Sequence, residues 1–203
     1  MSKLAKALGI AVVALTLVGA SQAQSNSRQI PFVAGGRVNI ELEAGGYRIK
    51  PSTDANLRVT WEGGSLERSD VKVDLDAHGN TAKITVSNTP HHNFRATIEV
   101  PAKTHLQVRL TAGDLRVAGI TGDKDIESNA GNVIIEVNDA NEYARAEASV
   151  LAGDLSAPAF HINKGGLFRS FDWSGPGMYT LRVHLLAGDL VLRSGGAKRA
   201  AEM

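Results

Sequence analysis

The segment LTAGDLRV, from Leu110 to Val117, returns with small changes at four other places in the chain. The related segments are LEAGGYRI from Leu42, SNAGNVII from Ser128, VLAGDLSA from Val150 and LLAGDLVL from Leu185. They share an Ala-Gly pair, then Asp, Asn or Gly, and then an apolar residue. Such recurrence is the sequence signature of a repeat architecture. It predicts a strand, a sharp corner and a second strand, used several times.

Each corner combines a glycine with a short polar side chain. Glycine permits the positive φ angle that a sharp bend requires. Asp and Asn can hydrogen-bond neighbouring backbone N–H groups and hold the bend. The predicted structural corners are Gly113 with Asp114, Gly131 with Asn132, Gly153 with Asp154, and Gly188 with Asp189. We expect the apolar residue after each corner to point back into a core.

Apolar and polar residues alternate through much of the remaining chain. In RVNIELE, for example, Val38, Ile40 and Leu42 fall on one side and the polar residues fall on the other. This period of two is typical of half-buried strands. Turn-forming residues separate these segments, and no segment after residue 23 has a convincing helical period. The chain is therefore predicted to be all-β.

The intervals between corner glycines bear on the architecture. From Gly113 to Gly131 is 18 residues, from Gly131 to Gly153 is 22, and from Gly153 to Gly188 is 35. The first two intervals suit one coil, so we expect a β-solenoid or a prism-like stack of strand-corner repeats. The third interval requires an insert or a degenerate repeat. A β-sandwich is the alternative, which explains the alternating strands but not the repeated corner.

The two ends of the chain predict export and short flexible segments. Residues 1–23 have two lysines, an apolar run and small residues at positions 21 and 23, which is typical of a cleaved signal peptide. We expect residues 24–29 to be flexible, residues 30–193 to form a single β-repeat domain, and residues 194–203 to be a flexible tail. No later stretch predicts a transmembrane span. The expected location is the periplasm, the cell surface or the extracellular space.

Composition argues against several classes of function. The chain contains no cysteine, which removes disulfides, thiolate nucleophiles and cysteine-ligated zinc. It has 22 Lys and Arg against 21 Asp and Glu, and removal of the two signal-peptide lysines leaves 20 against 21, or −1. Because nucleic-acid binding usually needs a basic face, we expect no nucleic-acid partner.

The signal peptide, the absence of cysteine and the repeated AGDL and AGNV corners together resemble the bacterial putative-adhesin family of exported β-repeat domains. The resemblance extends from Val38 to Arg193 and is strongest from Leu106 onward. It implies a β-solenoid-like fold and a surface or periplasmic setting, and it supplies no catalytic residues. The segment from Pro158 to Met178 departs from the regular pattern.

An aromatic insert fills the longest gap between repeats, at residues 165–179 (GGLFRSFDWSGPGMY). Aromatic rings in a Gly/Pro-rich loop can stack on sugars or anchor a partner. The predicted ligand-binding residues are Arg169, Asp172, Trp173 and Tyr179. The alternative is that Phe168 and Phe171 cap the core with Trp173 packed nearby, because large aromatic side chains are usually buried.

Metal and catalytic chemistry have little support in the sequence. The corner aspartates could line one edge and bind Ca²⁺, but calcium needs six to eight oxygen ligands and each corner offers a single acid. We interpret these acids as turn formers. The chain also lacks the Gly-x-Ser-x-Gly pattern of a nucleophile elbow. We therefore predict no metal site, no cofactor and no catalytic residue, and we expect that the chain is not an enzyme.

These observations predict a non-catalytic exported β-repeat protein with a structural or adhesive role at the cell envelope. The alternative is a periplasmic sensing or binding module that recognises a glycan or peptide through the aromatic insert. The expected partner is an envelope protein or glycan. Unpaired terminal coils could also let copies of the chain associate with one another.

Overall fold

The computed structural model describes residues 26–62, 71–90, 93–164 and 167–195. These residues form 17 β-strands in two sheets, with two single-turn 3₁₀ helices and no α-helix among them. The all-β prediction is confirmed for these residues. The predicted signal peptide, residues 196–203 of the predicted tail, and Gly165 and Gly166 of the aromatic insert lie outside the described residues. No helix within these ranges is long and apolar enough to cross a membrane.

Sheet A contains nine strands. Their spatial order is β1 (Asn26–Pro31), β4 (Asn56–Glu62), β7 (Arg95–Val100), β3 (Gly45–Pro51), β9 (Gly113–Val117), β11 (Val133–Val137), β17 (Leu190–Ser194), β13 (Leu155–Ala157) and β14 (Ile162–Lys164). Sheet B contains eight strands. Their spatial order is β15 (Leu167–Ser174), β12 (Tyr143–Ala152), β16 (Tyr179–Ala187), β10 (Lys124–Ala130), β8 (His105–Leu110), β2 (Arg37–Leu42), β6 (Thr81–Ser87) and β5 (Lys72–His78).

Six strand pairs share one arrangement, in which the first strand lies in sheet B, the chain turns, and the second strand lies in sheet A. The pairs are β2–β3, β6–β7, β8–β9, β10–β11, β12–β13 and β16–β17. Within each sheet, the strands of neighbouring pairs run parallel. The other five strands, β1, β4, β5, β14 and β15, are antiparallel to their neighbours and lie at the ends of the sheets.

The six pairs stack in the same order in both sheets, but this is not the chain order. From one end they lie in the order β6–β7, β2–β3, β8–β9, β10–β11, β16–β17 and β12–β13. In a regular solenoid each repeat would contact the repeats next to it in the chain. The two sheets therefore fit the β-sandwich alternative better than the expected solenoid. The inserted antiparallel strands β4, β5, β14 and β15 are the physical reason, because they let the chain re-enter the stack at another position.

The two sheets enclose one hydrophobic core. Ile40 and Ile84 point inward from sheet B, Ile49 and Ile98 point inward from sheet A, and all four are fully buried. Polar neighbours point outward, as the alternation of side chains along a strand requires. Burial of each such side chain contributes roughly 1.5–3 kcal/mol relative to leaving it exposed, so a core of this kind stabilises a fold that has no cysteine.

The corner glycines stack directly on one another, in the order Gly45, Gly113, Gly131, Gly188 and Gly153. The last four have φ angles of +114°, +114°, +124° and +137°. A Cβ atom on any of these four would overlap the backbone carbonyl of the preceding glycine in the stack. The predicted need for glycine is confirmed, and the close approach of backbones adds to the conformational reason for it.

The polar residue of each corner contacts the neighbouring corner. Asn132 Nδ2 donates to Asp114 Oδ1 at 3.0 Å, and the Asp154 backbone N–H donates to Asp189 Oδ1 at 3.0 Å. The backbone continues the ladder, since the Leu190 N–H donates to the Asp154 carbonyl at 2.8 Å. The interpretation of these residues as turn formers is thus refined, because these hydrogen bonds join stacked corners.

The domain ends differ slightly from those expected. Residues 26–29, expected to be flexible, belong to β1 and pair with β4. Ser194, expected to begin the tail, is the last residue of β17, and the Gly195 N–H donates to the Val137 carbonyl at 2.8 Å. The backbone of these residues pairs with a neighbouring strand, although their side chains lack the apolar alternation that would have revealed a strand.

We expect Gly131→Ala to lower the free energy of unfolding by about 3 kcal/mol or more, because it adds both a strained φ and an overlap with the Gly113 carbonyl. Gly79→Ala is the matched control. Gly79 also has a positive φ, of +61°, but no atom lies within 4 Å of its Cβ position, so the cost should be about 1–2 kcal/mol. Urea unfolding measures both variants. Equal losses would show that backbone conformation alone, and not stacking, makes glycine necessary at the corner.

Candidate functional site

A groove of about 670 Å³ crosses the outer face of sheet A. It spans six neighbouring strands, β4, β7, β3, β9, β11 and β17. Adjacent strands lie roughly 4.8 Å apart, so the five intervals give the groove a length of about 24 Å. All six strands have a hydrogen-bonded neighbour on both sides. The groove therefore offers side chains to a ligand and no free strand edge.

Two cross-strand rows of outward-facing residues line this groove. The row nearer the corners contains Glu62, Arg95, Gly46, Asp114, Asn132 and Asp189. The second row contains Thr60, Thr97, Arg48, Arg116, Ile134 and Val191. Charged and hydrogen-bonding groups thus lie beside two aliphatic side chains at one end.

Gly46 leaves a gap in the row nearer the corners. It takes the place that Asp or Asn occupies in the other corner segments. A Cβ atom there would meet only the Phe94 carbonyl oxygen at 3.6 Å and Arg95 Cγ at 3.7 Å. Both are ordinary van der Waals distances, so a larger side chain would fit, and the missing side chain deepens the groove.

Arg95 pairs with Gly46 on the adjacent strand, Arg48 lies two residues after Gly46 on the same strand, and both arginines are exposed. Among the residues that the structure describes, neither forms an ion pair or a side-chain hydrogen bond. Arg116 differs, because its Nη2 donates to Glu136 Oε1 at 2.7 Å. Two guanidinium groups at the centre of the groove are therefore available to an anionic ligand.

The charged side chains beyond the second row of sheet A form ion pairs with one another. Lys50 and Arg58 both contact Glu99, at 2.9 and 2.8 Å, and these hydrogen bonds hold the pKa of Glu99 below its usual value. Burial raises the pKa of Glu136, but hydrogen bonds from Arg193 and Arg116 outweigh it, and the pKa is lowered overall. Both carboxylates stay ionised at neutral pH and neutralise their own neighbours.

The four ligand-binding residues predicted in the aromatic insert do not share a surface. Arg169 is 7% exposed, and its Nη1 lies 3.4 Å from Asp154 Oδ1. Asp172 points outward and accepts a hydrogen bond from Arg145 Nη2 at 2.7 Å. Tyr179 lies on another strand, with its ring 6.3 Å from that of His105.

Trp173, the fourth predicted residue, belongs to an aromatic cluster at the end of the core. Its ring centroid lies 5.1 Å from that of Phe160, which is 5.6 Å from that of Phe171. This packing favours the alternative in which the insert caps the core. Phe168 does not take part as that alternative expected, because it points outward and is 76% exposed.

Sequence reasoning missed Gly46, Arg48 and Arg95. The two arginines occupy ordinary outward positions of alternating strands, which look the same whether or not they line a groove. The one available signal was the second glycine of LEAGGYRI, where other corners carry Asp or Asn.

A second polar cluster lies at the opposite end of the strands and was also missed. Lys124 is 1% exposed, and its Nζ donates to the Gly122 carbonyl at 3.1 Å and to Tyr143 Oη at 2.8 Å. Burial lowers the pKa of Lys124 to about 8, although Glu142 and Asp123 oppose this shift. The amine is enclosed and already hydrogen-bonded, so we interpret it as structural.

Within residues 26–62, 71–90, 93–164 and 167–195, no group of three or more His, Cys, Asp or Glu side chains is arranged to hold a metal ion. No protein-family model and no curated protein sequence matches the chain. The expected resemblance to the putative-adhesin family is therefore not supported by a family match, and comparison with solved structures bears on the fold alone.

A putative cell adhesion protein from Clostridium sporogenes ATCC 15579 has a similar structure, with a TM-score of 0.53 and 11% sequence identity over 84% of this chain and 100% of that chain. A putative lipid binding protein from Parabacteroides distasonis ATCC 8503 has a TM-score of 0.30 and 10% sequence identity, over 83% of this chain and 73% of that chain. A putative adhesin from Bacteroides fragilis NCTC 9343 has a TM-score of 0.24 and 7% sequence identity, over 84% of this chain and 98% of that chain. The similarity to the Clostridium sporogenes protein is therefore a similarity of fold.

We expect Trp173→Ala to lower the free energy of unfolding by about 3 kcal/mol, because it removes the ring that packs on Phe160. Asp172→Ala is the matched control on the same strand. It removes an exposed ion pair with Arg145, which should cost about 1 kcal/mol or less. Thermal unfolding compares the two. An unchanged melting temperature for Trp173→Ala would contradict the core-cap interpretation and favour a binding role.

The buried Lys124 predicts a stability that rises with pH. Its pKa is about 8 in the folded chain against 10.5 ordinarily, so between these values the unfolded chain binds more protons. The free energy of unfolding should rise by roughly 2 kcal/mol from pH 7 to pH 10. Urea unfolding at each pH should show a smaller rise for Lys124→Met. An equal rise in both proteins would contradict this assignment. Burial also raises the pKa of Tyr143 and Tyr47 above the ordinary value of 10.0. These two groups oppose the rise from about pH 10 upward in both proteins, because there the unfolded phenols lose their protons first.

Proposed function

We propose that this chain is a non-catalytic exported protein with an adhesive or structural role at the cell envelope, and that it binds its partner through the groove on sheet A. The observation that carries this proposal is the open row of side chains around Gly46, with two exposed arginines that have no partner among the described residues. The location, in the periplasm or at the surface, is part of the proposal.

The stacked strand pairs support a scaffold role. Five of the six corners contain glycines in contact with one another, and hydrogen bonds join neighbouring corners. We propose that the stacked strand pairs hold the outer face of sheet A in one shape. Binding to a surface that is already ordered loses little conformational entropy.

The chemistry of the groove supports binding in preference to catalysis. Its side chains are charged, hydrogen-bonding or aliphatic, and Glu62, Asp114 and Asp189 belong to one row along one side of it. A glycosidase would need two carboxylates facing each other across the bond to be cleaved. Carboxylates along one side of a groove can instead accept hydrogen bonds from a ligand.

The protein from Clostridium sporogenes, described as a putative cell adhesion protein, has a similar fold. That similarity is consistent with the proposal, and it transfers no site because the sequence identity is 11%. Recognition through the aromatic insert is the weaker candidate, since Trp173 packs against Phe160.

Gly46→Val tests whether the groove is the binding surface, because it fills the gap without changing any charge. Thr85→Val is the matched control on the outer face of sheet B. The readout is binding of the purified chain to isolated bacterial cell envelopes and to a glycan array. We expect Gly46→Val to weaken binding about tenfold with unchanged melting temperature, and Thr85→Val to bind like the parent.

Three results would overturn the proposal. The first is retained binding in Gly46→Val, and the second is no binding by the parent to either the envelopes or the array. The third is release of shortened glycans during incubation, detected by mass spectrometry, because a non-catalytic protein leaves its ligand intact.

A further inference from the structure

We propose that the groove on sheet A binds a linear acidic glycan, and that Arg48 and Arg95 together hold a carboxylate of this polymer beside Gly46. This inference rests on the proposed function and specifies its ligand class.

The two arginines are placed to act together. Gly46 pairs directly with Arg95 on the adjacent strand, and Arg48 follows Gly46 by two residues on the same face. Arg95 Cγ lies 3.7 Å from the position that a Gly46 Cβ would take. The stem of Arg95 therefore borders the gap. Guanidinium groups bind carboxylates through paired hydrogen bonds, which makes them suited to this anion.

The nearby acids form no ion pair with these two arginines among the described residues. Glu62 is opposite Arg95 in the strand register, and Asp114 is opposite Gly46, yet neither forms an ion pair with Arg48 or Arg95 in the described part of the chain. Asp114 Oδ1 instead accepts a hydrogen bond from Asn132. Glu99 and Glu136 pair with other cations. The guanidinium groups of Arg48 and Arg95 therefore have no ion-pair partner among the described residues and are open to an anionic ligand.

The shape of the groove favours an extended ligand. The groove crosses six strands over about 24 Å, and the arginines lie in its central part. Beyond Arg116 the surface becomes aliphatic, with Ile134 and Val191 half-buried side by side. A sugar ring has an apolar face for such side chains and hydroxyl groups for Thr, Asn and Asp.

The backbone pairing argues against an acidic peptide as the ligand. A bound peptide must satisfy its own N–H and C=O groups, and an exposed strand edge is the usual way to do this. All six strands under the groove are paired on both sides, so they offer no such edge. A glycan carries its polar groups as hydroxyls and carboxylates, which the outward side chains can satisfy.

Isothermal titration calorimetry with oligogalacturonate, a linear polymer of a uronic acid, tests the inference. Methyl-esterified oligogalacturonate is the matched ligand, because it has the same backbone without the charge. The variant is Arg48→Gln/Arg95→Gln, and the matched control is Arg37→Gln/Lys72→Gln. The control removes the same charge from exposed positions on sheet B that have no ion pair among the described residues.

We expect the parent to bind oligogalacturonate at least about tenfold more tightly than the methyl ester, since charge-assisted hydrogen bonds are roughly twice as strong as neutral ones. The double arginine variant should lose about tenfold in affinity for oligogalacturonate and almost nothing for the ester, while the control retains both affinities. The arginine-dependent affinity should also fall as salt is raised from low to physiological concentration.

Three outcomes would overturn the inference. Equal binding of the acid and the ester would show that the groove recognises a neutral glycan, and the proposed function would stand. Equal binding of poly-glutamate and oligogalacturonate would assign the groove to acidic polymers in general. Unchanged binding in Arg48→Gln/Arg95→Gln would place the ligand elsewhere. If neither oligogalacturonate nor any glycan or envelope binds, the proposed function falls as well.

Discussion

The contact between stacked glycine backbones at the corners is the constraint on which the rest of the structure depends. Each of Gly113, Gly131, Gly188 and Gly153 lies so close to the preceding glycine that no side chain could be accommodated. This contact fixes the level at which each of these strand pairs passes from sheet B into sheet A. Because β3, β9, β11, β17 and β13 all start at this stack, their outward residues fall into straight cross-strand rows.

The groove follows from one exception within that regular order. Most corner segments place Asp or Asn directly after the stacked glycine, and these residues link one corner to the next. The segment that begins at Leu42 places Gly46 there instead. The row then lacks a side chain where Arg95 and Arg48 approach it, while the charges further along the strands pair among themselves. Gly46 therefore makes no side-chain link to the neighbouring corner, and the groove is open at this position.

Local features were predictable from the sequence, and non-local ones were not. Alternation at Val38, Ile40 and Leu42 correctly predicted a strand, and the corner glycines were correctly predicted to need positive φ, because both depend on neighbouring residues only. The stacking order depends on which distant strands lie side by side, and the period of the sequence does not report this. The expectation of a solenoid therefore did not anticipate the observed order. The composition of the aromatic insert led to the prediction of a binding site there, yet Trp173 packs on Phe160. Arg48 and Arg95 have no distinguishing feature in the local sequence, because the role proposed for them depends on Gly46, which lies beside them in the sheet and has no side chain.

NMR mapping of backbone amides can determine whether recognition takes place on the outer face of sheet A. Oligogalacturonate is added to the isotopically labelled chain, and the chemical shift of each amide is followed. We expect the largest changes at Gly46, Arg48, Arg95 and Arg116, with little change in β15. Changes concentrated between Phe168 and Trp173, with the outer face of sheet A unaffected, would contradict this expectation.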